Sequence, residues 1–461
     1  MSSPLIRQFL RHAQSRPDTV FVDGERQLTY GGAAAEVAAQ AQRLADVASG
    51  LPVLLKGPNS VEWVLGFLAA RAAGLVVVPV SVETTAAQQQ AFGALMGPFY
   101  LWDTACRTGR WIDSGSQPRM LPSRAGFGLM TSGSTGLPRC ALRPDTSLLA
   151  EGQRYVSSFA LTPTDCILAA LPLCHAFVLG LALGGAIASG CTLSVLPRFV
   201  PRRVQELLRA GQCSILPLVP APARLLCEAF RDGGPAPRGL RHIIIGAGPV
   251  TPQLEQDIMA QCGRVPARNY GSSETGATLG TTGQAVPASV TGKALPGIEV
   301  AIASEAGAGA LFVRTGEPFI GYVTPQGIDA SRTSPDGWFS TGDLAHCEAQ
   351  GWITITGRLG DGLRRGGRFI QPTEVEQALR SHPDVTDAAI VGRRDAHGED
   401  VVEAHIERRS GSPLSAEDLR RHTALLIEAY KLPTIWHFYD ELPRTSGGKP
   451  DRSRLTQPTA E

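Results

Sequence analysis

Thr131-Ser132-Gly133-Ser134-Thr135-Gly136-Leu137-Pro138-Arg139 is the stretch on which the reading of this chain turns. Small residues let a backbone close around an anion. Successive N–H groups and hydroxyls can then hold phosphate oxygens. The Gly-Lys-Ser/Thr ending of a Walker A loop is absent. The same composition also marks a flexible linker. The strand-like run Gly126–Met130 just before it favours a phosphate-holding loop at the end of a strand.

Upstream of that loop, helix and strand patterns alternate. Ala33–Ala48 and Val61–Ala72 have helical spacing, while Leu51–Leu55 and Leu75–Val80 are short apolar strands. This βαβ rhythm predicts parallel sheets with helices on both faces. The rhythm returns downstream, with strands expected at Ser214–Pro220 and His242–Gly248. Val178–Leu196 is uncharged and long enough to span a bilayer. Gly180, Gly184, Gly185 and Gly190 interrupt it, so it reads as a buried helix followed by a strand, with no membrane span. From about Gly307 the pattern shortens to antiparallel hairpin elements. A Gly/Arg-rich boundary at Gly357–Gly367 then leads to helices near Pro372–Ser381 and Ser415–Ala429 and a strand from Ala388. The expected domains are 1–359, large, and 360–461, a small α+β domain.

Composition narrows the function. A chain of 461 residues exceeds one ordinary core. Lys+Arg at 43 against Asp+Glu at 42 argues against a nucleic-acid partner bound by a basic surface. The nine cysteines contain no C-x-x-C pair, which disfavours a cysteine zinc site and fits a reduced, cytoplasmic chain. The N-terminus reads as an amphipathic helix, with charges inside its apolar run, and not as a signal peptide.

Four further segments carry chemistry. In Asn269-Tyr270-Gly271-Ser272-Ser273-Glu274-Thr275, a ring followed by Gly lets a flat base stack near the backbone, and Glu274 offers a hard oxygen for Mg²⁺. Asp343, in Trp338–Leu344, can accept from two ribose hydroxyls. Arg358 can hold ribose or phosphate oxygens. Lys449, after Pro443–Gly448, can bring positive charge to a phosphate. Each is also an ordinary turn, linker or surface residue when read alone.

In this order and spacing the segments resemble the adenylate-forming superfamily: acyl- and aryl-CoA synthetases, nonribosomal adenylation domains and beetle luciferases. The resemblance extends through Leu28–Val37, Gly57–Val80, Leu171–Gly180 and Gly367–Leu379. It implies an α/β fold: a large domain of parallel α/β sheets plus a β-subdomain, and a small mobile domain carrying a catalytic lysine. It implies ATP and Mg²⁺, a carboxylic acid substrate, and coenzyme A or the phosphopantetheine of a separate acyl carrier protein as acceptor. By that resemblance Thr131, Ser132, Gly133, Ser134, Thr135 and Gly136 would hold phosphates, with Thr131 and Glu274 toward the metal. Gly246, Ala247 and Gly248 would line the adenine and acyl sites. Tyr270 and Gly271 would meet adenine, and Ser272, Ser273 and Glu274 the α-phosphate region. Asp343 and Arg358 would hold the ribose, and His175 and Phe177 the acid. Gly360 would be the hinge, and Lys449 with Glu274 would be catalytic.

The chain departs from the family pattern in four places. Pro138-Arg139-Cys140 replaces Pro-Lys-Gly, and Gly360 stands where an Asp or Lys is usual. The stretch between Val80 and Gly128 looks short. Val178 follows Phe177 where amino-acid-activating members carry Asp, which points to a fatty or aryl acid. The alternatives are an adenylation-only or amine-acceptor ligase, or a non-catalytic nucleotide-binding homologue. An α/β-hydrolase fails because neither Ser/Gly cluster forms G-x-S-x-G.

Overall fold

A computed structural model describes residues 3–47, 51–117, 119, 121–132, 138–287, 289–304, 308–359, 362–365, 368–394, 400–445 and 448–455. Gly133–Leu137, Gly360 and Gly366–Gly367 lie outside them.

Short β-branched runs that are buried on both faces form parallel strands, because neither face meets water. Val77 and Val78 are both fully buried. In an eight-stranded sheet, Val53–Lys56 pairs in parallel with Val77–Val80 and Phe99–Asp103, and Val77–Val80 with Ala125–Ser132. A nine-stranded sheet runs Val20–Asp23, Thr192–Val195, Cys166–Ala169, Ile215–Leu218, His242–Gly246 and Ala267–Ser272 in parallel. Both sheets turn antiparallel at their edges. The helix Val61–Ala72 has no polar face and is buried nearly all round. It contacts Val53–Lys56 and Val77–Val80 of one sheet and Val20–Asp23 of the other, the position a two-sided apolar helix requires.

Val178–Leu196 is the expected buried helix and strand. Its helix contains a π-helical segment at Leu179–Gly184 before Gly185–Ser189, and the strand is Thr192–Val195. Among the described residues, no helix is long and apolar enough to cross a membrane.

The region after Gly307 is antiparallel but is not a plain run of hairpins. Glu299–Ala303, Gly309–Arg314, Trp338–Cys347 and Ile353–Arg358 make a four-stranded sheet, while Gly321–Thr324 and Gly327–Asp329 leave it for the eight-stranded one. Beyond it, the expected linker contains a hairpin, Leu363–Arg365 with Arg368–Ile370. Val385–Arg394, Asp400–Arg408 and Ile435–Tyr439 form the last sheet. The helices Pro372–Arg380 and Ala416–Ala424 supply Val375, Leu379 and Leu419 to the core on one side of it. The second helix stops five residues before the expected Ala429; Leu425 and Leu426 beyond it are exposed, at 84% and 55%, while Ile427 and Tyr430 still pack against the core.

One buried ion pair holds the two sheets' functional edges together. Arg143 Nη1 donates to Glu151 Oε2 at 2.9 Å, with side chains 2% and 0% exposed. Glu151 Oε1 accepts from the Ala277 backbone N–H at 3.0 Å. Gly180 and Gly276 leave room for that carboxylate: a Cβ on either would come within 2.1 and 2.2 Å of it. Removing one partner strands a buried charge, which costs about 3–5 kcal/mol. Glu151→Gln is expected to lower the unfolding free energy of the large domain by about 3 kcal/mol in a urea titration. A loss below about 0.5 kcal/mol would mean the pair contributes no more than a surface one.

Candidate functional site

Parallel strands release their chain at their C-terminal ends, and the crevice there is where open α/β sheets bind ligands. His242–Gly246 is such a parallel strand, and its C-terminal end leads into Ala247 and Gly248. Gly246 takes no side chain because a Cβ would meet the Phe177 ring at 2.9 Å. Ala247 follows at φ +60°, a left-handed conformation uncommon outside glycine. A Cβ on Gly248 would lie 3.0 Å from Pro220. The three residues thus form a lip with Phe177 packed over its first member.

His175 is half-buried at the start of the same helix. The segment before it is clamped by buried Asn59, whose amide donates to the Ala169 and Leu171 carbonyls and whose Oδ1 accepts from the Leu173 N–H.

The adjacent strand Ala267–Ser272 carries Asn269 and Tyr270. It turns back through Ser273, Glu274 and Thr275 into Gly276–Gly280, a β-turn and not a helix start. Gly271 is forced by close approach: a Cβ there would meet the Gly276 carbonyl at 2.2 Å. Ser272 Oγ and Thr275 Oγ1 bond to each other at 3.1 Å and close the turn.

Four of the expected residues meet in one cluster. Tyr270 Oη donates to Asp343 Oδ2 at 2.5 Å. Burial, and then the Asp343 charge, raise the phenol well above its ordinary range, so it stays a donor. Asp343 sits within the strand Trp338–Cys347, not in a turn, and faces Arg358 across the ladder, with Arg358 Nε 3.4 Å from Oδ1. Lys449 comes from the last sheet's side of the molecule. A turn holds it: Thr445 N–H donates to the Lys449 carbonyl at 2.8 Å, and Arg444 bridges to Pro450. The turn abuts the large domain, since a Cβ on Gly448 would lie 3.3 Å from Val219. Lys449 keeps exposed surface. Burial among the surrounding protein, then Arg358, and then Arg452 hold its ammonium below the usual lysine range, while Asp343 opposes them.

Glu274 belongs to a second group. Its Oε1 accepts from Tyr322 Oη at 2.5 Å, and the Arg139 guanidinium lies 5.7 Å from the Tyr322 ring centroid. Arg139 lies in the hairpin in which Thr131 pairs with Arg139 and Ser132 with Pro138. The Thr131 hydroxyl faces the Arg139 carbonyl at 3.5 Å. Gly133, Ser134, Thr135, Gly136, the Ser132 side chain and Gly360 fall outside the description. Glu274 fits the donor chemistry of Mg²⁺, which commonly takes one or two carboxylates plus substrate phosphates.

Sequence reasoning did not find Tyr322, Glu151, Arg143 or Tyr155, whose hydroxyl donates to Asn269 Oδ1 at 3.0 Å. A glutamate and a tyrosine four apart on a helix read as an ordinary helix face. Only the glycines at 180 and 276 betray a bulky neighbour.

The AMP-binding enzyme model matches residues 9–97 and 117–323, and the AMP-binding enzyme C-terminal domain model matches 374–449. A 2-succinylbenzoate–CoA ligase of Enterococcus faecalis is 27% identical over 352 residues, 74% of this chain and 70% of that protein. A sulfoacetate–CoA ligase of Cupriavidus necator is 29% identical over 353 residues, 73% and 68% of the two chains. The structure of o-succinylbenzoate coenzyme A synthetase from Bacillus subtilis with ATP and magnesium superposes with a TM-score of 0.83. It is 21% identical and covers 98% of this chain and 99% of that one.

The Lys449 cluster predicts opposite shifts in two variants. The ammonium should lose its proton at lower pH than a free lysine, as read by NMR of reductively methylated protein. Arg358→Gln should raise that pKa and Asp343→Asn should lower it further. An ordinary, variant-insensitive titration would contradict the geometry.

Proposed function

The chain belongs to the AMP-binding enzyme family, and from that membership we propose that it is an acid–thiol ligase whose cleft serves ATP-dependent activation of a carboxylic acid. A carboxylate oxygen bonds to the α-phosphorus of ATP, the bond to the β-phosphate oxygen breaks, and pyrophosphate leaves with that electron pair. The thiol of coenzyme A then loses its proton, its sulfur bonds to the acyl carbon, and AMP departs with the former carboxylate oxygen.

The observation that carries this reading is that Tyr270, Asp343 and Arg358 gather beside Lys449, although they come from four separate segments of the chain. A carboxylate approaching a phosphate brings negative charge to negative charge, so the work is electrostatic. Little general acid/base help is required, since a carboxylic acid is already ionised at neutral pH. Tyr270 offers its ring to adenine, and its hydroxyl fixes the Asp343 carboxylate toward the ribose hydroxyls. Arg358 steadies that carboxylate, and Lys449 offsets charge at the α-phosphate. The loop from Thr131 to Gly136 holds the outer phosphates. Glu274, fixed by Tyr322, would hold Mg²⁺ with Thr131 as a second donor; when bound, the ion neutralises phosphate charge.

The acid enters along Phe177 and His175. Phe177 lies flat against Gly246, and Val178 offers no carboxylate for an ammonium group, which favours a fatty or aryl acid over an α-amino acid. Coenzyme A is the acceptor of the curated ligases similar to this chain. A carrier-protein phosphopantetheine presents the same thiol chemistry. Gly360 is the proposed hinge, and 1–359 and 360–461 the proposed domains. A cytoplasmic location fits the free thiols of the chain.

ATP–pyrophosphate exchange with fatty, benzoic and cinnamic-type acids tests the reading. Exchange should depend on one class of acid and fall about 10²–10³-fold in Lys449→Ala. ATP binding without exchange for any acid would contradict it.

A further inference from the structure

Glu403 and His405 lie two apart on the strand Asp400–Arg408, so their side chains share a face. The parallel strand Ile435–Tyr439 sets His437 directly opposite His405. The two imidazoles stack with centroids 4.6 Å apart and planes 17° apart. Glu403 Oε2 lies 3.6 Å from His437 Nε2 and 4.0 Å from His405 Nε2. One ligand atom from each residue falls within 4.8 Å of the others.

The Glu403 carboxylate is served by Arg393, whose Nη2 donates to Oε2 at 3.2 Å, while the two histidine Nε2 atoms are not served by the described residues. Glu403 and His405 are 1% and 2% exposed. Buried polar atoms without partners are rare in folded proteins and call for an explanation. The other face of His405 is organised: its Nδ1 bonds Tyr439 Oη at 2.9 Å. That contact fixes the ring's orientation, and with Tyr439 Oη accepting from Nδ1–H the Nε2 lone pair is left for a metal.

The geometry points to a divalent-cation site formed by Glu403, His405 and His437. Two imidazoles and one carboxylate suit Zn²⁺, with water in the fourth position. The half-exposed His437 side chain gives the ion its entry. Arg393, whose Nε is 2.9 Å from Glu403 Oε1, neutralises the carboxylate in the ion's absence, and at 57% exposure it is free to swing into solvent. The ion would tie the central strand to the strand that leads into the Lys449 turn, a position apart from the nucleotide cleft.

The test uses the full-length protein stripped with chelator and titrated calorimetrically with ZnCl2. One equivalent should bind to the wild type, and His437→Ala and Glu403→Gln should each weaken it at least about 10-fold with unchanged circular dichroism. Co²⁺ should give d–d absorption without a thiolate charge-transfer band, which separates this site from the nine cysteines. Absent binding, equal binding in both variants, or a thiolate band would overturn the assignment.

Discussion

The Asp343 carboxylate is the point on which the site depends. It sits in a strand of the four-stranded sheet, takes the Tyr270 hydroxyl from the nine-stranded sheet, and faces Arg358 and Lys449. Both of its oxygens are engaged, Oδ2 by the Tyr270 hydroxyl and Oδ1 by Arg358. The carboxylate also opposes the two arginines beside Lys449, Arg358 and Arg452. Neither Tyr270 nor Arg358 can move without releasing an oxygen of that group.

Below this cluster, the Arg143–Glu151 pair fixes the register of the hairpins. Arg143 extends from the strand that follows the phosphate loop, and Glu151 receives the Ala277 N–H from the strand that follows Glu274. The two hairpins that are proposed to face the phosphates and the metal are therefore referred to one buried anchor. Tyr155, one turn beyond Glu151 on the same helix, supports Asn269 beside Tyr270. Such supporting contacts are what hold a site's geometry within catalytic tolerance.

How much of this could be read beforehand follows from physical range. The parallel strands were legible because two-sided burial writes continuous apolar runs, as at Val77–Val80 and His242–Gly246. The residues of the Asp343 cluster were legible only through the order and spacing of their segments, since each read alone is an ordinary turn, linker or surface residue. What escaped was pairing across distance. Tyr322 reaches Glu274 only because its strand leaves its neighbours for another sheet. Asp343 read alone was a turn residue, and only the ladder to Arg358 shows it to be mid-strand. The Glu403–His405–His437 group was invisible because its spacing exists only across the register of two parallel strands.

On the proposed assignment, Lys449 beside Asp343 and Arg358 acts in the adenylating step, where pyrophosphate leaves. Single-turnover kinetics with a preformed acyl-adenylate and coenzyme A isolate the second half. In Lys449→Ala, conversion of the supplied adenylate to thioester should run at close to the wild-type rate, because the proposed lysine contact is spent once pyrophosphate has left. A thioester-forming step that falls as far as the adenylating step would contradict the account.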